Sequence, residues 1–94
     1  MQPTPKRVEA EVRVLNSQGL HMRPVTELAT TAGKFICTIQ IVNGDQVVDG
    51  KSPMDLMLLG ATKGTALKLV AEGDDAEAAI AALAQLFKDR FHVE

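Results

Sequence analysis

Apolar and polar positions alternate from Val8 to Leu15, with Val8, Ala10, Val12 and Val14 on one face and Glu9, Glu11 and Arg13 on the other. A period of two predicts a half-buried strand. Asn16-Ser17-Gln18-Gly19 then supplies turn chemistry. From about Arg23 to Ala32 the period changes: Val25, Leu28, Ala29 and Ala32 recur at helical spacing, and Gly33 marks the stop. Phe35 to Val42 is rich in β-branched residues and predicts a second strand. Asn43-Gly44 follows as a hairpin signal, with both central residues of a type I′ turn at positive φ, and Asp45 to Asp49 predicts a short antiparallel third strand.

A second helix has a complete start signal. Ser52 can cap it, Pro53 fits the first helical position, and Asp55 stands three residues after the cap in the manner of a capping box. Met54, Leu56, Met57, Leu58 and Leu59 follow before Gly60 ends it. So short a helix cannot turn all of these inward, so some methionines or leucines are expected outside, where a flexible Met patch suits docking. Burial of the whole set is the alternative that periodicity leaves open. Thr65 to Glu72 alternates again, with Leu67, Leu69 and Ala71 on one face, and predicts the fourth strand. Gly73-Asp74-Asp75 opens the last helix with the negative charge its dipole favours. Its apolar stripe is Ala76, Ala79, Ile80, Leu83, Leu86, Phe87 and Phe91, with Lys88 and Arg90 near its end and His92 solvated in the tail. The order β-α-β-β-α-β-α predicts an α+β domain with helices packed on one face of an antiparallel sheet.

Ninety-four residues set the scale of one domain with a single modest core. Residues 1–7, polar with two prolines, predict a flexible lead, and residues 8–94 the domain itself. A net charge of −2, with ten Lys and Arg spread along the chain and no Trp or Tyr, excludes a strongly basic nucleic-acid binder. The single cysteine, Cys37, precludes an internal disulfide and fits a reducing cytoplasm. Its β-like surroundings suit a small buried hydrophobe. Neither a signal peptide nor a membrane span is present in the sequence, so membrane insertion is not expected. The two histidines have no metal-ligand spacing, and no metal or cofactor is expected.

The chemistry concentrates in Gly19-Leu20-His21-Met22-Arg23-Pro24. Pro24 suits a first helical turn, where its missing N–H would be unpaired anyway and its φ is already helical. His21 is therefore expected just outside a helix N-terminus, where free N–H groups and the positive dipole end favour an anion. Arg23 adds a fixed positive charge with a fork suited to phosphate. An imidazole beside such an anion cradle is favoured in its neutral, nucleophilic form and could accept a phosphoryl group covalently. A capping or surface role for His21 is the plain alternative on local residues alone.

Gly19-Leu20-His21-Met22-Arg23-Pro24 closely resembles the active-site segment of HPr, the histidine-containing phosphocarrier family of the bacterial sugar phosphotransferase system. A second landmark, Lys51-Ser52-Pro53-Met54-Asp55-Leu56-Met57, resembles the segment around that family's regulatory serine, and Leu59-Gly60 and Lys63-Gly64 follow at the family's spacing. The resemblance covers about Val8 to Phe87. It implies an open-faced β-sandwich whose four-stranded antiparallel sheet runs in the order 1-4-2-3, with three helices on one side. It also implies that His21 accepts phosphate on Nδ1 from the phosphoenolpyruvate-dependent enzyme I and passes it to an enzyme IIA-type domain. Arg23 would stabilise the phosphate, and Pro24 would shape the helix entry. Ser52 would be the target of an HPr kinase/phosphorylase in members with that control. The partner-docking face would include Met22, Thr26, Pro53, Met54 and Met57, and the carrier would be a monomer.

Several residues depart from the family pattern. Met22 replaces a usual small residue beside the histidine, and Pro53 follows the serine where an aliphatic or small residue is more usual. Asp55 and Glu27 place negative charge on or near the docking face. Three rival readings follow. One is a nitrogen-related regulatory HPr paralogue using the same histidine. Another is a non-catalytic HPr-fold interaction module acting through Ser52 and the Met54–Met57 patch, which the intact His21 argues against. The third is a small-molecule-binding domain of ferredoxin-like topology, which the element order alone would allow.

Overall fold

The structure, a computed structural model, describes residues 6–93. Its elements are β1 (Arg7–Arg13), α1 (Met22–Ala32), β2 (Thr38–Asn43), β3 (Gln46–Asp49), α2 (Pro53–Leu58), β4 (Ala66–Glu72) and α3 (Ala76–Lys88), followed by a 3-10 turn at Arg90–His92. Of the residues expected to form a flexible lead, Lys6 and Arg7 are held by the sheet. Residues 1–5 lie outside the described residues, Arg7 already pairs with Glu72, and the Lys6 carbonyl accepts the Gly73 N–H at 2.8 Å.

All strand pairs are antiparallel and the order is β1-β4-β2-β3, which excludes the ferredoxin-like topology that element order alone would allow. Alternation decides which face is covered. On β2, Ile39 and Ile41 are buried while Thr38 and Gln40 are exposed; on β4, Leu67, Leu69 and Ala71 point the same way as these isoleucines. The helices close over that face. α3 contributes the predicted stripe of Ala76, Ala79, Ile80, Leu83, Leu86 and Phe87, all buried, and packs on β1 and β4. α1 brings Val25, Leu28, Ala29 and Ala32, and α2 brings Leu56. Each large apolar side chain so buried contributes about 1.5–3 kcal/mol. The opposite face is open and polar, with the Arg7 guanidinium bonded to Glu9 at 2.9 Å and Glu72 at 2.7 Å. These exposed pairs add little to stability.

Two turns differ in detail from the sequence reading. The β2–β3 loop is Gly44-Asp45, closed by the Asn43↔Gln46 pair, rather than centred on Asn43-Gly44. Positive φ falls on Gly44 alone (+60°), so glycine takes the first central position, as in a II′ loop. The second difference is at Phe91. α3 stops at Lys88, and Arg90, Phe91 and His92 all adopt left-handed φ values of 53°, 54° and 59°. Phe91 thus reaches the core by a reversed turn rather than a continued helix. It is buried, with its ring edge-on to Phe87 at 4.8 Å between centroids.

Asp75 stands at the start of α3, yet its carboxylate does not cap that helix. It accepts the Ile36 N–H at 2.8 Å and the Cys37 N–H at 2.9 Å, so the chain entering β2 is tied to a side chain and the strand begins only at Thr38. The Ile36 N–H above all, with Cys37 next, holds the Asp75 carboxyl below the usual carboxylate range. Burial, reinforced by the same carboxylate, pushes the Cys37 thiol up to about 11, in keeping with the expected packing role. Because the Asp75 pKa is lowered on folding, its contribution is present above the unfolded value of about 3.9 and is lost as pH falls through the folded value. Asp75→Ala is therefore expected to lower the urea midpoint most at neutral pH. The gap from wild type should narrow in acid, and a gap independent of pH between 3 and 7 would refute this account.

Candidate phosphoryl-acceptor site

The loop from Asn16 to Leu20 connects β1 to α1 through a series of backbone contacts. Val14 N–H donates to the Thr65 carbonyl at 3.0 Å, and Gly64 N–H donates to the Val14 carbonyl at 2.7 Å, so pairing continues past the end of β1. Gly19 N–H closes a turn onto the Asn16 carbonyl at 3.1 Å, and Leu20 N–H donates to the Ala61 carbonyl at 2.9 Å. Gly19 has φ +68°, and a Cβ there would lie 2.5 Å from the Ala61 oxygen, so both conformation and space require glycine.

His21 is the N-cap residue of α1, one position closer to the helix than the sequence reading put it. Its backbone is extended (φ −90°, ψ −173°), and its carbonyl accepts the first helical bond, from Val25 N–H at 3.0 Å. The helix therefore starts at Met22, one residue before the expected Arg23, and Pro24 is its third residue, within the first turn as expected. Pro24 still occupies a position whose N–H would have no intrahelical partner. Met22 and Arg23 are left as the first-turn donors. The imidazole makes no capping hydrogen bond and is partly exposed, so its nitrogens are not committed to holding the helix. No acidic residue stands in the first turn to offset the positive dipole end.

His21 and Arg23 share a cavity of about 150 Å³ with Ser17, Gln18 and Val93. Pockets for organic ligands run to about 300–1,000 Å³. The volume suits a small anion better than an organic substrate. Sequence reasoning had assigned Ser17 and Gln18 to the turn and missed Val93 altogether; its place depends on the reversed turn after α3. His92 is exposed, as expected, with its Nε2 3.8 Å from Glu27 Oε1 and 4.0 Å from Asp89 Oδ2.

Ser52 caps α2 as expected: its Oγ accepts the Asp55 N–H at 3.2 Å, and Pro53 is the first helical residue. The reciprocal half of the capping box is not made. Ser52 N–H donates to the Asp49 carbonyl at 3.2 Å, and the Asp55 carboxylate accepts the Asp49 N–H at 3.4 Å. Ser52 does not line the His21 cavity. Leu56 and Leu59 are buried, whereas Met54 (78%), Met57 (41%) and Leu58 (68%) are exposed, as is Met22 (62%). Thr26 and Pro53 are exposed as well, and the Thr26 hydroxyl donates to the Met22 carbonyl at 2.8 Å. Among the described residues no cluster of side chains could hold a metal ion, and no helix is long and apolar enough to cross a membrane.

Residues 8–89 match the family model described as the PTS HPr component phosphorylation site. The chain is 39% identical over 82 residues to the phosphocarrier protein HPr of Pseudomonas aeruginosa, covering 86% of this chain and 91% of that protein. It is similar in structure to HPr-C-His from Thermoanaerobacter tengcongensis, with a TM-score of 0.89 and 40% identity over 93% of this chain and 98% of that one. It is also 40% identical over 78 residues to the phosphoryl donor subunit DhaM of the PEP-dependent dihydroxyacetone kinase from Providencia stuartii, 83% of this chain but 16% of that protein.

The cap at Ser52 has a measurable stability effect. Ser52→Ala is expected to lower unfolding free energy by about 1 kcal/mol, read from urea unfolding, while the exposed Met54→Gln should stay within about 0.5 kcal/mol of wild type.

Proposed function

The chain belongs to the HPr family of phosphotransferase-system phosphocarriers, and from that premise we propose that His21 is its phosphoryl acceptor. The carrying observation is the shared setting of His21 and Arg23: an uncommitted imidazole at a helix N-terminus, opening with a guanidinium onto a cavity of anion size. In this reading Nδ1 of neutral His21 attacks the phosphorus of a phosphohistidine on enzyme I, itself charged from phosphoenolpyruvate. The new N–P bond forms as the donor's N–P bond breaks, and the donor imidazole leaves with the electron pair. The reverse exchange delivers the group to an enzyme IIA-type domain.

Such a transfer depends above all on positioning and charge stabilisation. Arg23 and the first-turn N–H groups of Met22 and Arg23 face the incoming charge, and Pro24 keeps a further donor out of that set. No cofactor or metal is needed, since the donor brings the activated group. Met22, Thr26, Pro53, Met54 and Met57 form the docking face, and Ser52 is the regulatory serine. A phosphate on Ser52 would sit at a helix cap, where the fold tolerates it, and would act by putting negative charge among the docking residues. The protein acts as a cytoplasmic monomer in this reading. Similarity to DhaM, the phosphoryl donor subunit of another phosphoenolpyruvate-dependent system, favours a second reading in which the same His21 chemistry serves an acceptor outside sugar uptake.

Incubation with enzyme I and phosphoenolpyruvate is expected to add one acid-labile phosphate, located on His21 by mass spectrometry. His21→Ala should fold like wild type and take none. An unlabelled wild-type chain, even with enzyme I from the same organism, would overturn the carrier role. A separate incubation with an HPr kinase and ATP is expected to give acid-stable phosphate on Ser52, and its absence would remove the regulatory role alone.

A further inference from the structure

Among the described residues Asn16 is the one buried polar or charged residue, with no surface left exposed. Its Nδ2 donates to the Gly19 carbonyl, while its Oδ1 has no partner. An unpaired buried acceptor is destabilising, and an apolar residue of similar size would carry none. Asn16 is therefore poorly accounted for as a packing residue.

Its bonds point to the active-site loop instead. The Asn16 carbonyl accepts the Gly19 N–H at 3.1 Å, and its side-chain amide donates to the Gly19 carbonyl, so one residue holds Gly19 by both its N–H and its C=O. The same Gly19 oxygen accepts the His21 N–H at 3.1 Å. Two donors thus converge on one carbonyl, which has a lone pair for each. Turning the Gly19–Leu20 peptide would break both bonds and draw Leu20 N–H away from the Ala61 carbonyl. The His21 backbone would lose its reference at the same time.

We infer that Asn16 is a positioning residue for His21, orienting the phosphoryl acceptor through the Gly19 carbonyl. This rests on the carrier reading of His21. Being fully buried, Asn16 cannot touch a partner protein. Its removal should therefore slow the transfer step and leave docking intact. Small misplacements of a reacting group cost up to about a hundredfold in rate, and a loss of roughly tenfold in kcat is expected from one of several restraints.

The test is steady-state phosphorylation by enzyme I and phosphoenolpyruvate over a range of carrier concentrations. Asn16→Ala is expected to lower kcat about tenfold with KM for the carrier within about twofold of wild type. Asn16→Ser, whose hydroxyl can still donate, should recover part of the rate. Val48→Ala, a buried truncation on β3 away from the loop, controls for general destabilisation and should keep the wild-type kcat. A wild-type kcat in Asn16→Ala, or an equal loss in Val48→Ala, would overturn the positioning role. If Asn16→Ala does not fold, Asn16→Leu, an apolar residue of similar size that lacks the donor, takes its place with the same expected loss. Failure of both to fold would make Asn16 a folding residue and overturn the inference. The His21 ring ¹⁵N signals give a readout independent of turnover: Asn16→Ala should shift them and Val48→Ala should not. Should the wild-type chain take no phosphate, the carrier reading fails, and unchanged ring signals would then reject positioning as well.

Discussion

Between Gly19 and Ala61 two backbones approach so closely that no side-chain carbon fits at Gly19, and Leu20 N–H donates across the gap to the Ala61 carbonyl. The contact joins the loop after β1 to the connection between α2 and β4. It sets the path on which His21 becomes the N-cap of α1, and from there Arg23 falls one turn-edge away on the same cavity. Moving either backbone would disturb Val14 as well, because Val14 bonds to Thr65 and Gly64 on the same connection.

The site draws on local rather than overall charge. The chain has a net charge of −2, and its cations are scattered. Around His21 the positive character comes from Arg23 and a helix end with no acid in its first turn. Acidic residues are used elsewhere as structural acceptors, Asp75 for the chain entering β2 and Asp55 for the Asp49 N–H. That division leaves an opening fit for a group that arrives with its own negative charge.

Much of this was legible where the controlling physics is local. The alternating strands β1 and β4 and the Ser52-Pro53 start were read within one or two residues, and the α3 stripe holds through Phe87, since each depends on periodicity or capping; β2 begins three residues after the expected Phe35, where Asp75 holds the Ile36 and Cys37 N–H groups. The strand order was not readable from pattern, because Arg7 and Glu72 pair across 65 residues and nothing local announces it; family resemblance supplied it. The Arg90–His92 turn was invisible because it contains neither Gly nor Asn, the residues that mark left-handed backbone. Asn16 read as an ordinary turn residue. Its burial depends on tertiary packing, and only that burial gives its amide a significance beyond the turn.

The position of β4 at the centre of the sheet has a consequence for biosynthesis. β1 is made first but pairs only with β4, so it leaves the ribosome without its neighbour until most of the chain has followed. Non-local pairing of this kind is slow and exposes unpaired edges while it waits. The Gly19–Ala61 contact waits on the same event, and Val93 joins the cavity later still. A nascent fragment containing the whole Gly19–Pro24 segment therefore has the residues of the site without its shape, and the cavity that His21 shares with Arg23 is complete only once Val93 has been added.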